Sequence, residues 1–464
     1  MFYRISFFVV VSALFSACAD ADKGETSSQD ENAVAQINLP DTVFYWQHIA
    51  PVLFENCTPC HNKNGAAPFP LTDYIDAKKR TKTIREVIAE GIMPPWPADT
   101  LYSRFKDEKT ITQEEKSLIL KWIDQDVPEG IVPNKKPTPQ LFAVKALGKP
   151  DLILEFPDTI FIPGDNRDKF RLAKIPFEMA RDTIIRAISF VPGNRQLVHH
   201  VNGHLINYPE GKKKDPFAGE WIKDAEEVNS LTAYREMKIP NDDGTYPPLL
   251  VSAFNYLPGV EPPTYPEGMG TVFLNKKGTF ILNTLHYGPT AIDTFDLSRI
   301  EIYFAEKRPE RPFKELQMGT LGETPVVPKF IIEAGTVAEF STRYRVPQDM
   351  SVLTINPHMH LLGQDFIAFA VSENKKDTIP LIHIPKWDFR WQYFYTFKHI
   401  LKIPKGYEIV VNATFDNTIN NPYNPYAPPK TITESGKHMK TTDEMFQFFI
   451  TYVPYRTGDE NIEL

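Results

Sequence analysis

The chain has 464 residues, 24% of them charged, and a formal net charge of -8. This length suggests roughly three domains of about 100–200 residues each, and the hydrophobic content of 42% is ordinary for a globular protein. The negative net charge gives no basis for nucleic-acid binding. With 41 prolines against 23 glycines, the composition favours turns and strand ends over long helices.

The first 18 residues have the pattern of an export signal. A positive charge at Arg4 precedes an apolar run, residues 5–15, that is too short to span a bilayer. The run ends in Ser16-Ala17-Cys18, which resembles the lipobox of bacterial lipoproteins. This resemblance implies lipidation of Cys18 and anchoring to the bacterial envelope, on the periplasmic side of the outer membrane or on the cell surface. An ordinary secretion signal is the alternative.

Residues 19–40 are acidic and polar, and we expect a disordered tether because they offer few groups to bury. The pattern then becomes helical. A first helix is predicted near residues 76–90, and a second starts at the capping box formed by Thr112 and Glu115. This part of the chain resembles a small cytochrome c, so we expect an α-helical cytochrome c-like domain at residues 41–127.

Within that segment, Cys57-Thr58-Pro59-Cys60-His61 has the CxxCH spacing of c-type haem attachment. Cys57 and Cys60 would form thioethers to the haem, and His61 would ligate its iron. Met93 is the candidate for the opposite ligand, and a thioether there would raise the haem potential. A redox CxxC and half of a zinc site are the alternatives. His48 is a rival ligand that we interpret as a helix-surface histidine.

A proline-rich linker is predicted at residues 128–150. Beyond it, short alternating segments such as residues 183–190 and 409–415 are broken by turn residues, a pattern typical of β-sandwiches and jelly rolls. The strand pattern is interrupted at residues 307–312. The predicted fold class is therefore multidomain, with a small α-helical cytochrome c-like domain followed by two all-β jelly-roll domains. Their predicted ranges are residues 151–310 and 311–464.

Three groups of histidines lie in the β segment. His358 and His360 are two residues apart, and residues i and i+2 of a strand point to one face. His199 and His200 are adjacent, so they reach one metal ion only if their strand bends or ends there. His286 stands alone in the sequence. The nearby His204 is interpreted as a supporting or structural residue.

Met445 lies on a predicted strand, on the face opposite its wholly apolar stripe. It is either a metal ligand or core filler, and spacing does not decide between them. Two imidazoles with a thioether would select copper over zinc, because Cu(I) accepts soft sulfur ligands. Three imidazoles suit zinc and copper equally.

The histidine groups and Met445 occur in an order that resembles the copper type II, ascorbate-dependent monooxygenases, the peptidylglycine α-hydroxylating and dopamine β-monooxygenase family. The resemblance covers roughly residues 150–455 and implies two jelly-roll domains facing each other across a cleft. It implies an electron-supplying copper at one set of ligands and an O2-binding, catalytic copper at another. The first set is His199, His200 and His286; the second is His358, His360 and Met445.

The chain departs from the peptide-hydroxylating members at their carboxylate anchor. Asn356, Gln447 and Phe449 stand where those enzymes have Arg, Asn and Tyr. A peptide with a C-terminal glycine is therefore not the expected substrate. The disulfides of the family are absent too, because the three cysteines are assigned to lipid and haem.

Together these features predict an exported monooxygenase that carries two copper ions and one covalent c-type haem. It would use O2 to hydroxylate a C–H bond of an unknown small organic substrate, with electrons from an ascorbate-like reductant or a redox protein. Two other classes remain open. One is a non-catalytic haem–copper electron carrier or copper-binding lipoprotein, and the other is a two-sandwich binding module with an attached cytochrome.

Overall fold

The computed structural model describes residues 38–63, 65–139, 147–270, 272–434 and 442–464. The predicted export signal, Cys18 and nearly all of the predicted tether lie outside these residues. Among the helices that the structure describes, none is long and apolar enough to cross a membrane.

The helices of the described chain are short, and four of the five α-helices lie before residue 125. The α-helices are α1 (Ala50–Asn56), α2 (Tyr74–Lys79), α3 (Thr81–Ala89), α4 (Gln113–Asp124) and α5 (Ser230–Glu236). A π-helical turn, Tyr45–Ile49, precedes α1, and a 3₁₀ turn, Asp459–Asn461, lies near the end of the chain. The predicted capping box is present at the start of α4, where Thr112 and Glu115 bond reciprocally to each other's backbone N–H. The helix predicted near residues 76–90 is instead two helices, which meet at Arg80.

The predicted fold class is wrong on its helical domain. The longest described helix, α4, has 12 residues, and α1, α2, α3 and α5 have six to nine. Residues 90–112 contain no helix, because Pro94, Pro95 and Pro97 lack the N–H group that a helix needs. Residues 41–464 fall into one compact unit.

Two larger antiparallel sheets are built from residues 152–304. Their strands are β1 (Leu152–Glu155), β2 (Ile160–Ile162), β3 (Lys169–Glu178), β4 (Thr183–Val191), β5 (Val198–Asn207), β6 (Ile222–Asp224), β7 (Leu249–Tyr256), β8 (Val272–Leu274), β9 (Lys277–Tyr287), β10 (Thr294–Asp296) and β11 (Arg299–Phe304). One sheet has the order β1-β11-β4-β8 and the other β6-β3-β9-β5-β7, while β2 pairs with β10. Ile188 and Ile300 of the first sheet share one buried cluster with Leu205 and Phe280 of the second, so the two sheets pack against each other.

Residues 314–454 repeat this arrangement with another pair of sheets. Their strands are β12 (Lys314–Gly319), β13 (Ile331–Ile332), β14 (Val337–Arg345), β15 (Met350–Met359), β16 (Gly363–Val371), β17 (Thr378–Ile384), β18 (Tyr395–Ile403), β19 (Glu408–Asp416), β20 (Ile432–Thr433) and β21 (Phe446–Pro454). The orders are β12-β21-β15-β18 and β14-β19-β16-β17. Ile355 and Phe448 of one sheet share a buried cluster with Phe366 and Phe415 of the other. The described chain is thus mostly β-sheet in sandwich-like pairs, and not a helical domain followed by two jelly rolls.

The segment at residues 96–108 joins the helices to the second pair of sheets. The N–H group of Lys106 donates to the carbonyl of Thr396 at 2.8 Å, and Phe105 forms an isolated bridge with Phe397. Phe105 is fully buried in the same cluster as the second pair of sheets. This contact attaches the chain that follows Met93 to β18 of the second pair of sheets.

Candidate metal centres

A β-bulge brings the two adjacent histidines to one side of β5. In the pairing of β5 with β9, Val198 lies opposite Tyr287 and His200 lies opposite His286, so His199 is an extra residue in β5. A bulge leaves such a residue unpaired and bends the strand. The alternation that would send adjacent side chains to opposite faces is interrupted there, which is the bend that a shared site requires.

The three imidazoles converge on one point. The Nδ1 atoms of His199 and His200 are 3.4 Å apart, and those of His286 and His200 are 3.3 Å apart. One ligand atom from each residue lies within 4.8 Å of the others. Nitrogen atoms held about 2.0–2.1 Å from one tetrahedral ion lie roughly 3.3 Å from each other. The spacing of this His199/His200/His286 cluster therefore fits a single metal ion.

Burial keeps two of these rings in the form that binds metal. The pKa of His200 is well below its usual value, because the ring is buried and because positive charge on His286 and His199 would repel it. The pKa of His199 is lowered to about 4, mainly by burial and to a smaller extent by positive charge on His286. Both rings are neutral at ordinary pH, and a neutral imidazole offers a nitrogen lone pair to a metal ion.

Asp168 supports the cluster and was missed in the sequence. Its Oδ1 accepts a hydrogen bond from Nε2 of His286 at 2.7 Å, which leaves Nδ1 of His286 facing His200. This hydrogen bond is the main reason why the pKa of Asp168 is lowered. Phe170, opposite His286 in the neighbouring strand, stacks on its ring at 4.4 Å. A carboxylate that accepts from a metal-binding histidine fixes its tautomer and orientation.

The second pair, His358 and His360, lies where β15 ends beside β21. His358 is opposite Gln447 in this antiparallel pair, whose last paired residues are Met359 and Phe446. His360 and Met445 are the next residue beyond this pairing in each chain segment. The two imidazoles are 5.1 Å apart and nearly perpendicular, and Met445 is buried.

Hydrogen bonds orient both rings of this second pair. Nδ1–H of His360 donates to the carbonyl of Asp443 at 3.0 Å. Nδ1 of His358 is hydrogen-bonded to the side-chain oxygen of Gln392, which leaves Nε2 as its ligand atom. Burial lowers the pKa of His358 to about 4, so this ring is neutral as well. Gln392 was not anticipated in the sequence.

Glu444 ties the ends of the two strands together. Its carboxyl oxygens accept from the backbone N–H groups of His360 at 3.0 Å, Leu362 at 2.8 Å and Met445 at 3.1 Å. Burial raises the pKa of this carboxyl to about 8, although the three hydrogen bonds act in the opposite direction. Glu444 thus sets the spacing between His360 and Met445.

Phe389 lies between the two groups of histidines. Its ring centre is 6.0 Å from that of His200 and 5.7 Å from that of His360. Positive charge on His358 or His360 would also lower the pKa of His200, so the groups are within electrostatic range of each other. The structure therefore gathers all five predicted histidines around the connection between β17 and β18.

The cysteines of the CxxCH motif follow α1 and are partly buried. Neither Cys57 nor Cys60 forms a disulfide. Burial raises the pKa of Cys57 to about 12 and also raises that of Cys60. Both thiols are therefore protonated at ordinary pH when no metal or haem is bound.

The other predicted haem ligands also fit a bound group. Nδ1–H of His61 donates to the carbonyl of Phe69 at 2.9 Å, leaving Nε2 for a metal. Met93 and Cys57 pack against the same hydrophobic cluster of the helical segment. Trp96 has a buried indole N–H without a hydrogen-bond partner among the described residues. A bound polar group would satisfy it.

Two further histidines lie apart from these sites. Nδ1 of His48 accepts from the backbone N–H of Phe44 at 2.9 Å, at the start of the helical segment. His204 is buried within β5, opposite Ile281 in β9. Burial lowers the pKa of His204 to about 4.

Comparison with known proteins identifies no family. No family model matches the chain, and no curated protein matches it. Two similar solved structures are the infectious bursal disease virus Gt strain and the VP2 subviral particle of that virus. Each is 9% identical to this chain, and each alignment covers 68% of this chain. The alignments cover 82% and 74% of the respective viral chains, with TM-scores of 0.16 and 0.17. Similarity this low supports no inference, so function must be argued from the chemistry of the sites.

Proposed function

We propose that this chain is an exported monooxygenase that binds two copper ions and one c-type haem and hydroxylates a C–H bond of a small organic substrate with O2. The main support is the convergence of His199, His200 and His286 on one point, close to the pair formed by His358 and His360. In this proposal one copper site has only nitrogen ligands, and the other has two nitrogen ligands and a thioether sulfur.

Copper in these sites would supply the one-electron chemistry that activates O2 for attack on a C–H bond. His199, His200 and His286 would hold one ion, with Asp168 orienting His286 from behind. The other ion would be held by His358, His360 and Met445. The soft thioether of Met445 favours Cu(I), the oxidation state that reacts with O2, so the O2-binding role belongs to that site.

The residues near Met445 support a substrate without a carboxylate at the position where peptide substrates are anchored. The Asn356 amide donates to the carbonyl of Tyr393 at 2.8 Å, and the Gln447 amide donates to that of Thr320 at 2.8 Å. Neither side chain carries positive charge, and both amide groups are engaged with the protein backbone. We infer that the substrate is not a peptide held by a C-terminal carboxylate at this position.

The haem would be attached through Cys57 and Cys60, with His61 and Met93 as axial ligands. Electrons would enter from an ascorbate-like reductant or a redox protein. Export and a lipid anchor at Cys18 belong to the same proposal, and Cys18→Ala should then move the protein from membranes into a soluble fraction.

Metal analysis of the purified protein beside a haem stain of the denatured chain tests this function. We expect two coppers and one haem iron per chain. The double substitution Cys57→Ser with Cys60→Ser should abolish the stain and leave copper bound. A protein without copper would contradict the proposal. Copper and haem without substrate-coupled O2 consumption would instead identify a non-catalytic electron carrier.

A further inference from the structure

The connection between β17 and β18, together with the start of β18, has an unusual side-chain pattern. From residue 387 onward, every second residue is aromatic, namely Trp387, Phe389, Trp391, Tyr393, Tyr395 and Phe397. The rings of Trp391, Tyr393 and Tyr395 follow one another at 6.1 and 5.7 Å. This part of the segment therefore forms a row of rings.

Part of this row forms a continuous series that starts at the first candidate copper site. The ring of Trp391 is 5.8 Å from that of His199. Trp391 and Tyr393 are nearly parallel, at 12° and 6.1 Å. Tyr393 in turn lies 5.3 Å from Trp96. Centroid separations of about 4.5–7 Å are those of aromatic rings in contact.

The other end of the series lies at the haem-binding segment. Trp96 follows Met93 by three residues, and the Tyr393 hydroxyl donates to the carbonyl of Pro95 at 2.6 Å. Tyr393 is buried and its ring also contacts that of Trp96. One side chain thus contacts both Pro95 and Trp96, which follow Met93 by two and three residues.

We propose that Trp96, Tyr393 and Trp391 form the route by which electrons pass from the CxxCH haem to the His199/His200/His286 copper. This inference rests on the proposed function. Electron tunnelling through protein weakens steeply with each gap between atoms, and three rings in contact leave few gaps. One electron leaves ferrous haem, which becomes ferric, and Cu(II) becomes Cu(I). No atom is transferred, and the three side chains are neither oxidised nor reduced.

The alternative is that the rings only fill space between the helices and the sheets. Buried aromatic residues contribute to packing wherever they lie. In that case their removal would lower stability without changing the rate of electron transfer between two sites that remain occupied. A rate measurement separates the two roles.

The experiment uses the holoprotein with ferric haem and Cu(II). A photochemical pulse delivers one electron to the haem, and haem absorbance follows its reoxidation by copper. Tyr393→Leu should slow this phase by an order of magnitude or more, and Trp391→Leu should do the same. Tyr393→Phe keeps the ring and should retain most of the rate. Phe397→Leu removes a buried ring beyond the route and should behave as wild type.

Copper content, the copper EPR signal and the haem spectrum are recorded first for each variant. With both metals in place, an unchanged rate in Tyr393→Leu and Trp391→Leu would overturn the proposed route. An equal slowing in Phe397→Leu would overturn it too, because a general packing effect would then explain the result. A wild-type protein lacking haem or copper would refute the proposed function itself at the metal analysis, and this inference with it.

Discussion

His286 donates a hydrogen bond from Nε2 to the Oδ1 atom of Asp168 across 2.7 Å. The bond joins the end of β9 to the residue just before β3, and it turns Nδ1 of His286 toward His200, 3.3 Å away. The side chain of Asp168 is half exposed, at 51%, whereas that of His286 is 6% exposed. A carboxylate at the surface therefore sets the orientation of a buried metal ligand.

Asp168→Asn should weaken copper binding at the His199/His200/His286 cluster by about 10–100-fold, the usual effect of losing such a partner. Asparagine can still accept the hydrogen bond, but its neutral oxygen makes His286 a poorer donor to the metal. Competition with a copper chelator measures the affinity. The control is Asp165→Asn, which removes an exposed carboxylate paired with Lys169. Equal affinities in the two variants would argue against a role for Asp168.

Met445→His should retain about two coppers, because the number of ligands is preserved. The thioether is replaced by a nitrogen that favours Cu(II), so O2-dependent turnover should be lost. X-ray absorption of the reduced wild type should show copper–sulfur scattering that disappears in the variant. Met359→Leu changes a buried methionine of β15 that faces away from His358 and should keep the scattering. If the wild type has no such scattering, Met445 is core filler.

The metal-free protein should lose stability as the pH falls from about 6.5 toward 4, partly through His204. Burial lowers the pKa of His204 to about 4, against about 6.5 for a free imidazole. The unfolded chain therefore binds more protons in this interval, and the contribution of His204, on the order of 3 kcal/mol, is lost as the pH drops.

Denaturant unfolding at a series of pH values measures this effect. In His204→Gln the free energy of unfolding should fall less steeply below about pH 6.5 than in wild type, because glutamine does not titrate. His399→Gln, which removes an exposed histidine, should leave the profile unchanged. An equally steep fall of the unfolding free energy in His204→Gln and in wild type would refute a contribution from His204.

Asp459→Ala should destabilise the fold by about 3–5 kcal/mol, because it leaves the Arg311 charge buried without its partner. The two side chains are 7% and 5% exposed, and an Arg311 nitrogen lies 2.8 Å from Oδ1 of Asp459. Glu408→Ala breaks an exposed pair with Arg343 and should cost at most about 1 kcal/mol. Denaturant unfolding gives the free energy of unfolding of both variants. A similar loss in each would contradict the expectation that the buried pair matters more than the exposed one.

The sequence alone was informative where the physics is local. The period of two along a strand predicted that His358 and His360 share one face, and the pairing of Thr112 with Glu115 correctly marked the start of α4. Alternating segments predicted the strands. The same local reasoning overestimated the helical part, because helical periodicity near residues 76–90 does not reveal the interruption at Arg80 or the irregular chain around Pro94.

Only the tertiary structure decided how the site is assembled, because its contacts join residues far apart in the chain. The bulge at His199 depends on the register between β5 and β9. Asp168 reaches His286 because β3 lies beside β9 in the sheet. Phe389 meets both groups of histidines because one connection passes between the two pairs of sheets. Strand order and register arise from packing of the whole chain, and no short stretch of sequence contains them.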